Sequence, residues 1–133
     1  MKGFGVWIAV LGIALAACSG PEPASVAKET GGLSGLAEEI FVPRCARPGC
    51  HGGSSPAAGM NLGQGHTYDS LVGARASRRP DRLRVDPGNP EGSYLLERLQ
   101  PGGDTPVMPL GGPRLGPEEL DRIRAWIEAG AKP

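Results

Sequence analysis

A chain of 133 residues has the length of one domain, and its 14 acidic and 14 basic side chains give a formal net charge of zero, which provides no reason to expect a nucleic-acid partner. Its 22 glycines and 14 prolines favour loops, and a chain rich in loops has difficulty burying enough apolar surface to offset its conformational entropy. A small domain of this composition usually needs a disulfide, a metal or a bound group to hold it together.

The first 18 residues predict a lipoprotein signal peptide. Lys2 precedes an apolar run from Phe4 to Ala17, which is short for a membrane span. The run ends in LAAC, which resembles the lipobox of bacterial lipoprotein precursors, so we expect Cys18 to become the first mature residue and to carry lipid. An ordinary signal peptide and an uncleaved anchor are the alternatives. Acyl chains would hold the protein at the periplasmic face of the bacterial envelope, and Ser19, which is not the aspartate of inner-membrane retention, favours the outer membrane.

Residues 19–32 show no apolar periodicity and predict a flexible linker, so the globular domain is expected to cover residues 33–133. A first helix is predicted with Ser34 as its N-cap and Pro43 as the point where it ends or kinks. Its apolar stripe consists of Leu33, Leu36, Ala37, Ile40 and Phe41.

The middle of the chain reads mostly as loop. Residues 52–65 form a loop, the stretch HTYDSLVG holds one or two helical turns, and residues 74–88 form a basic irregular segment. Asn89 is expected to cap a helix that has Pro90 at its first position. The buried face of that helix is expected to contain Leu95, Leu96 and Leu99.

A loop over residues 101–116 leads to the clearest element, a helix opened by Pro117 and ended by Gly130. Its apolar face consists of Leu120, Ile123 and Ile127, with Trp126 beside them. Because no alternating run is long enough for a strand, we predict an all-α architecture of three to five short helices. The long loops are unusual for a compact domain unless they wrap around something.

The stretch RCARPGCHGG contains the chemistry-bearing residues. In an exported, oxidising compartment Cys45 and Cys50 could form a disulfide. Closing so small a loop would stabilise the fold only to a limited extent, and the disulfide would leave His51 without a role. A zinc site that adds His66 does not match common ligand spacings. Covalent c-type haem attachment uses two thiols and a histidine directly after the second, although its usual spacing is C-x-x-C-H.

The two extra residues between the cysteines carry a turn signal. In Arg47-Pro48-Gly49-Cys50, proline at the second position and glycine at the third favour a type II turn. Such a turn would bring Cys50 back towards Cys45.

Four stretches together carry a resemblance to a known family: CARPGCH, DPGNPEGSYLLERL, VMPLGG and LGPEELDRIRAWIEAGA. From about Leu33 to the C-terminus, the chain resembles small monohaem class I c-type cytochromes. It is most similar to the cytochrome c-like domains of exported bacterial lipoproteins. The resemblance implies a cytochrome c-like, all-α fold wrapped around a covalent haem c, with the first and last helices packed across each other near Ala37 and Trp126.

The resemblance also implies roles for individual residues. Cys45 and Cys50 would bind the haem covalently, and His51 would be the proximal iron ligand. In the basic segment, one or two arginines would pair with haem propionates or with a partner's acidic patch, although a solvated loop near Asp81 and Asp86 is the favoured interpretation. The arginines concerned are Arg75, Arg78, Arg79, Arg82 and Arg84.

Family cytochromes take the distal iron ligand from a methionine in a late loop before the C-terminal helix, and Met108 lies there. Pro106 and Pro109 would stiffen the backbone around it. Met60, His66 and an open coordination position are the alternatives.

A haem whose two axial positions are filled by protein offers no site for a substrate, so the resemblance implies a membrane-tethered one-electron carrier and not an enzyme. Its partners would be redox proteins in or at the membrane. Two alternatives remain. One is a haem-free structural or binding lipoprotein with a Cys45–Cys50 disulfide. The other is a ligand-binding haem sensor or peroxidase-like protein, in which Met108 is absent from the iron or displaceable.

Overall fold

The computed structural model describes residues 32–103 and 105–133. The predicted signal peptide, the lipidation of Cys18 and the linker up to residue 31 lie outside the described residues. The described part has four short helices, one 3-10 turn and a two-stranded hairpin.

Helix α1 covers residues 33–44 as three consecutive segments, α-helical Leu33–Leu36, π-helical Ala37–Phe41 and α-helical Val42–Arg44. Gly32 is its N-cap, so the expectation of Ser34 is wrong: the Gly32 carbonyl already accepts from the N–H of residue 35 at 3.0 Å. The helix ends one residue beyond Pro43. Because proline has no N–H to donate, the regular ladder is interrupted there, and the wider π turn directly precedes it.

Helix α2 (Thr67–Leu71) confirms the predicted helical turns in HTYDSLVG. It is followed by strands β1 (Arg75–Ala76) and β2 (Arg79–Leu83), which pair antiparallel. The expectation that the chain contains no strand is therefore wrong at residues 75–83. Strand β2 is exposed over its first three residues, so it has no buried face and shows no alternating apolar pattern.

Helix α3 (Tyr94–Leu99) begins four residues later than expected, with Ser93 as its N-cap. The Asn89 side chain instead accepts a hydrogen bond from the Gly92 N–H at 2.9 Å, which closes a local turn over residues 89–92. The burial of Leu95, Leu96 and Leu99 is as predicted.

Helix α4 (Pro117–Glu128) follows the sequence prediction closely. Gly116 is its N-cap, and its N–H donates to the Glu119 carboxylate at 2.8 Å. Gly130 follows the helix with φ +97°, a conformation that L side chains rarely adopt. Ile123, Trp126 and Ile127 are buried as expected.

Helices α1 and α4, the first and last, contact each other. The Arg44 guanidinium donates to Glu119 at 2.6 Å and also to the carbonyls of Pro113 and Arg114 at 2.8 and 3.0 Å. Arg44 therefore ties the end of α1 both to α4 and to the loop before it.

One apolar core joins α1, α2, α3 and α4. Each fully buried aliphatic side chain in such a core contributes about 1.5–3 kcal/mol relative to exposure. Cys45, Met60 and Met108 pack against this core from the loops. The core consists of Leu33, Leu36, Ile40, Phe41, Leu62, Leu71, Val85, Leu95, Leu96, Leu99, Leu115, Ile123, Trp126, Ile127 and Ala131.

Candidate functional site

The segment between the two cysteines forms the predicted turn. The Cys50 N–H donates to the Arg47 carbonyl at 2.9 Å, and Gly49 at the third turn position has φ +79°. A glycine with positive φ at this position is the signature of a type II turn, which confirms the prediction. The His51 N–H then donates to the Cys45 carbonyl at 3.1 Å, so the backbone after the turn comes back to the first cysteine.

Gly52 is a structural requirement of this motif that the sequence analysis missed. A Cβ at this position would overlap the backbone carbonyl of Ala46, because the chain after His51 lies directly against the chain after Cys45. The only signal in the sequence was the glycine pair that follows His51. The structural motif therefore includes Gly52 and has the pattern C-x-x-x-x-C-H-G.

Both cysteines are free thiols. Cys45 is half-buried, and burial raises the pKa of its thiol to about 11, so that the thiol is neutral at physiological pH. Cys50 is exposed. One thiol therefore faces the protein interior while the other is open to a reactant from solvent.

His51 has one ring nitrogen occupied and the other available. Its Nδ1 lies 3.2 Å from the carbonyl oxygen of Ala57, and because a carbonyl can only accept, Nδ1 carries the proton. Nε2 then keeps its lone pair, the form in which imidazole binds a metal. The pKa of His51 is lowered, mainly because the ring is partly buried, and this favours the neutral ring.

An apolar cleft, here called the main cleft, opens beside His51 and has a cavity volume of about 120 Å³. Leu62 and Leu71 belong both to the core and to the lining of this cleft. The main cleft is lined by Phe41, Cys45, His51, Ala58, Met60, Leu62, Leu71, Ala76, Ser77, Arg78, Arg84, Tyr94, Leu95, Arg98, Leu99 and Met108.

A second hollow, here called the outer cavity, adjoins the main cleft, and Cys45, His51 and Met108 line both. Cys50 lines only the outer cavity, together with Leu110, which is 62 % exposed. The three shared side chains therefore stand where the apolar interior meets the surface.

Of the candidates for the distal ligand, Met108 and Met60 both line the main cleft and are half-buried. The Met108 N–H donates to the Arg98 carbonyl at 2.8 Å, and the Arg98 guanidinium donates to the Thr105 hydroxyl. His66 is exposed at the N-cap of α2 and lines neither hollow, so the structure does not bring it to the cysteines.

The basic segment divides into two groups. Arg79 pairs with Asp81 at 3.0 Å, Arg82 pairs with Glu97, and Arg75 donates to the Pro80 carbonyl at 2.8 Å. These three fit the interpretation of a solvated, locally satisfied hairpin. Arg78 and Arg84 instead line the main cleft.

The residues of the two hollows fit the haem that the sequence resemblance implies. A flat apolar ring with a central iron needs an apolar cleft and donors for the iron, and one histidine and two methionines line this cleft. Cys45 and Cys50 provide the two thiols beside the imidazole. Within the described residues, no group of three or more His, Cys, Asp or Glu side chains is placed to hold a metal ion by itself.

No protein-family model matches the chain, and no match was found among curated proteins or among solved structures. No helix in residues 32–103 and 105–133 combines the length and the apolar character needed to cross a bilayer.

Proposed function

We propose that the chain is a c-type cytochrome that is tethered to a membrane and carries single electrons. The observation that carries this proposal is that His51 and Met108 line the same apolar cleft next to Cys45. When bound, the haem supplies an iron that cycles between the ferrous and ferric states. Cys45 and Cys50 would hold the ring through thioethers, formed by addition of each thiol to a vinyl group, and this attachment would prevent loss of the haem.

In this proposal, His51 and Met108 would be the two protein ligands of the iron. The Ala57 carbonyl fixes the tautomer and orientation of His51 and raises its basicity as a ligand. An iron held by both side chains would have no position left for a substrate, which favours a carrier over an enzyme. Histidine and methionine together give a higher reduction potential than other axial pairs.

The lipid at Cys18 and the linker of residues 19–32 complete the proposal. A domain on a flexible tether meets membrane-associated donors and acceptors at a high effective concentration. The partners are therefore redox proteins in or at the same membrane, reached from the periplasmic side.

The test uses the full chain, exported from a bacterium that has c-type maturation machinery. Its spectrum in alkaline pyridine should show a reduced c-type haemochrome, and the colour should stay on the polypeptide after acid–acetone extraction. Cys45→Ala and Cys50→Ala should each diminish covalent haem. Cys18→Ser is the matched control, since it should release the protein from the membrane fraction and keep the haem. A colourless protein with a Cys45–Cys50 disulfide would refute the proposal.

A further inference from the structure

The turn at Ala57–Gly59, whose first carbonyl contacts the His51 ring, contains a strained residue. Ala58 has φ +56° and ψ +22°, in the left-handed region where the Cβ of an L residue crowds the following carbonyl oxygen. A residue stays in such a conformation only where its surroundings hold it, and such residues cluster at functional sites. The groups that hold Ala58 are therefore candidates for a functional role.

Two side chains of the hairpin region hold the carbonyl of Ala58. This carbonyl accepts from Nη2 of Arg84 at 2.8 Å and from the Ser77 hydroxyl at 3.3 Å. Ser77 lies in the turn between strands β1 and β2, and Arg84 directly follows β2. The other arm of the guanidinium, Nη1, donates to the Ser70 carbonyl in helix α2 at 2.7 Å. Arg84 therefore ties the strained turn both to the hairpin and to helix α2.

The residue before Ala58 contacts the proposed iron ligand. The Ala57 carbonyl oxygen lies 3.2 Å from Nδ1 of His51. The carbonyls of Ala57 and Ala58 belong to two rigid peptide planes that are joined at the Cα of Ala58. The dihedral angles of Ala58 set the angle between these planes, so donors that fix the Ala58 carbonyl also fix the direction of the Ala57 carbonyl.

We propose that Arg84 and Ser77 act as positioning residues for His51. By holding the Ala58 carbonyl, they keep the Ala57 carbonyl where it accepts a hydrogen bond from Nδ1. This inference rests on the proposed function and adds to it a role for the hairpin. The hydrogen bond from Nδ1 keeps the Nε2 lone pair for the iron and raises the basicity of the ring. Because a more basic ligand favours ferric iron, the hairpin tunes the reduction potential.

The test measures hydrogen exchange of the His51 Nδ1 proton by NMR in the reduced, purified holoprotein, whose low-spin ferrous iron is diamagnetic. Arg84→Lys keeps the positive charge of the side chain. Its single ammonium cannot donate to the Ser70 and Ala58 carbonyls as the two guanidinium arms do. A role of Arg84 through its charge alone would therefore leave the exchange rate unchanged.

Ser77→Ala removes the other donor to the Ala58 carbonyl and changes no charge. Arg79→Lys is the matched control, because Arg79 lies on the same hairpin but pairs with Asp81 and does not line the main cleft. This control should exchange the Nδ1 proton at the wild-type rate.

Arg84→Lys should exchange the Nδ1 proton at least about tenfold faster than wild type, because the free energy of a hydrogen bond from a charged donor corresponds to about a tenfold change or more. Ser77→Ala should accelerate the exchange by roughly two- to tenfold, the range for a neutral hydrogen bond. The indole N–H of Trp126, which donates to the Lys132 carbonyl at 2.7 Å, should keep its wild-type rate. This second proton separates a local effect from a general loss of stability.

Ala58→Gly tests whether strain at this residue is what the two side chains oppose. Glycine adopts positive φ without steric cost, so a glycine at this position needs less holding. In the double variant with Arg84→Lys, the Nδ1 proton should therefore exchange more slowly than in Arg84→Lys alone.

A wild-type exchange rate in Arg84→Lys or in Ser77→Ala would overturn the role of the residue concerned. An equal acceleration in Arg79→Lys, or a double variant that exchanges as fast as Arg84→Lys, would overturn the whole inference. If Arg84→Lys yields no holoprotein, Ser77→Ala decides, since Ser77 is exposed and its substitution leaves the hydrogen bonds of Arg84 to the backbone in place.

A wild-type protein without covalent haem would refute the proposed function itself. The ring-nitrogen chemical shifts of His51 in that protein would then decide the inference, because they report the tautomer without haem. The Nδ1–H form should predominate in wild type and decrease in Arg84→Lys, and an unchanged tautomer ratio would overturn the inference.

Discussion

Two parts of the cleft lining, here called the His51 wall and the Met108 wall, are held in different ways. The His51 wall is fixed by a dense set of short-range hydrogen bonds. The His51 carbonyl accepts from the Leu62 N–H at 2.7 Å, the Cys50 carbonyl accepts from the Ala57 N–H at 2.7 Å, and the ring itself contacts the Ala57 carbonyl. Backbone on both sides of the histidine is therefore tied to the loop over it.

Among the described residues, fewer hydrogen bonds hold the Met108 wall. One backbone hydrogen bond joins Met108 to Arg98, one side-chain bond joins Arg98 to Thr105, and Arg44 holds the loop farther on at Pro113 and Arg114. A loop held at a few points opens at a lower free-energy cost than a densely bonded one. We therefore expect ligand loss to begin on the methionine side and the histidine side to persist.

The largest effect on haem content is expected from removing the side chain of His51. His51→Ala leaves the His51 wall without a nitrogen donor, and haem per polypeptide should fall at least about tenfold, because even lesser perturbations of a metal site cost about 10–100-fold in affinity. The pyridine haemochrome per mole of protein measures it. His66→Ala, the other histidine of the chain, should leave haem content unchanged; equal losses in both variants would contradict the assignment.

A substitution at Gly52 tests whether the close approach of Gly52 to Ala46 stabilises the His51 wall. In Gly52→Ala the new Cβ overlaps the Ala46 carbonyl, and the backbone must shift, which we expect to cost about 1–3 kcal/mol. A lower thermal midpoint and a lower yield of holoprotein would show it.

Gly53→Ala separates crowding from backbone strain. Gly53 has φ +80° and open space around it, so alanine there is strained by about 1–2 kcal/mol without steric overlap. A Gly52→Ala protein as stable as wild type would show that the close approach to Ala46 does not constrain the motif.

Met108→Ala tests the Met108 wall and should alter the properties of the iron more than the stability of the fold. Covalent haem should remain, while the reduction potential falls by roughly 0.1 V or more, within the span of about 0.8 V that axial ligands control. The vacated position should bind carbon monoxide. Met60→Ala is the matched control, because Met60 lines the same cleft and is also half-buried. A larger potential change in Met60→Ala would reassign the ligand.

Thr105→Val should destabilise the Met108 wall by a smaller amount. It removes the hydroxyl that accepts from Arg98 while keeping the shape of the side chain and the cleft charge. Loss of one hydrogen bond costs about 0.5–1.5 kcal/mol, so the fraction of protein with Met108 off the iron should rise by up to roughly tenfold. Cyanide-binding kinetics of the ferric protein measure that fraction. Thr105→Ser, which keeps the hydroxyl, should behave like wild type.

The smallest effect concerns thiol reactivity before haem attachment. With a pKa of about 11, the Cys45 thiol is only about one-thousandth ionised at pH 8. Because thiolate is the reacting form, iodoacetamide should modify the exposed Cys50 before Cys45 in protein made without maturation machinery. Mass spectrometry of timed samples would show the order, and faster modification of Cys45 would contradict its burial.

The helices could be predicted from the sequence where apolar residues recur without interruption at helical spacing. Helix α4 has both the period and end signals at Pro117 and Gly130, and its bounds follow from them. The start of α3 was misplaced because Asn89 satisfies a local turn as readily as a helix N-terminus. The hairpin was missed because backbone pairing holds it and its exposed strand carries no pattern.

The candidate site was predictable as a residue set but not as an arrangement. The spacing of Cys45, Cys50 and His51 is local, so its turn could be derived from the sequence alone. The crowding at Gly52 and the separation of Arg84 from Arg79 depend on contacts that a linear pattern does not contain. His66 has an imidazole that could bind a metal, but it lies at the N-cap of helix α2, away from both hollows.

Arg44, which immediately precedes the first haem-binding cysteine of the proposed site, also fixes the time at which the domain can close. Its acceptors at Pro113, Arg114 and Glu119 are about seventy residues farther along the chain, at separations of 69 to 75 positions. In the proposed export, with the N-terminus leading, the cysteine motif would emerge long before these acceptors. An attachment enzyme would then meet an open motif, and the contacts of Arg44 with the last helix would form only after the C-terminal residues had followed.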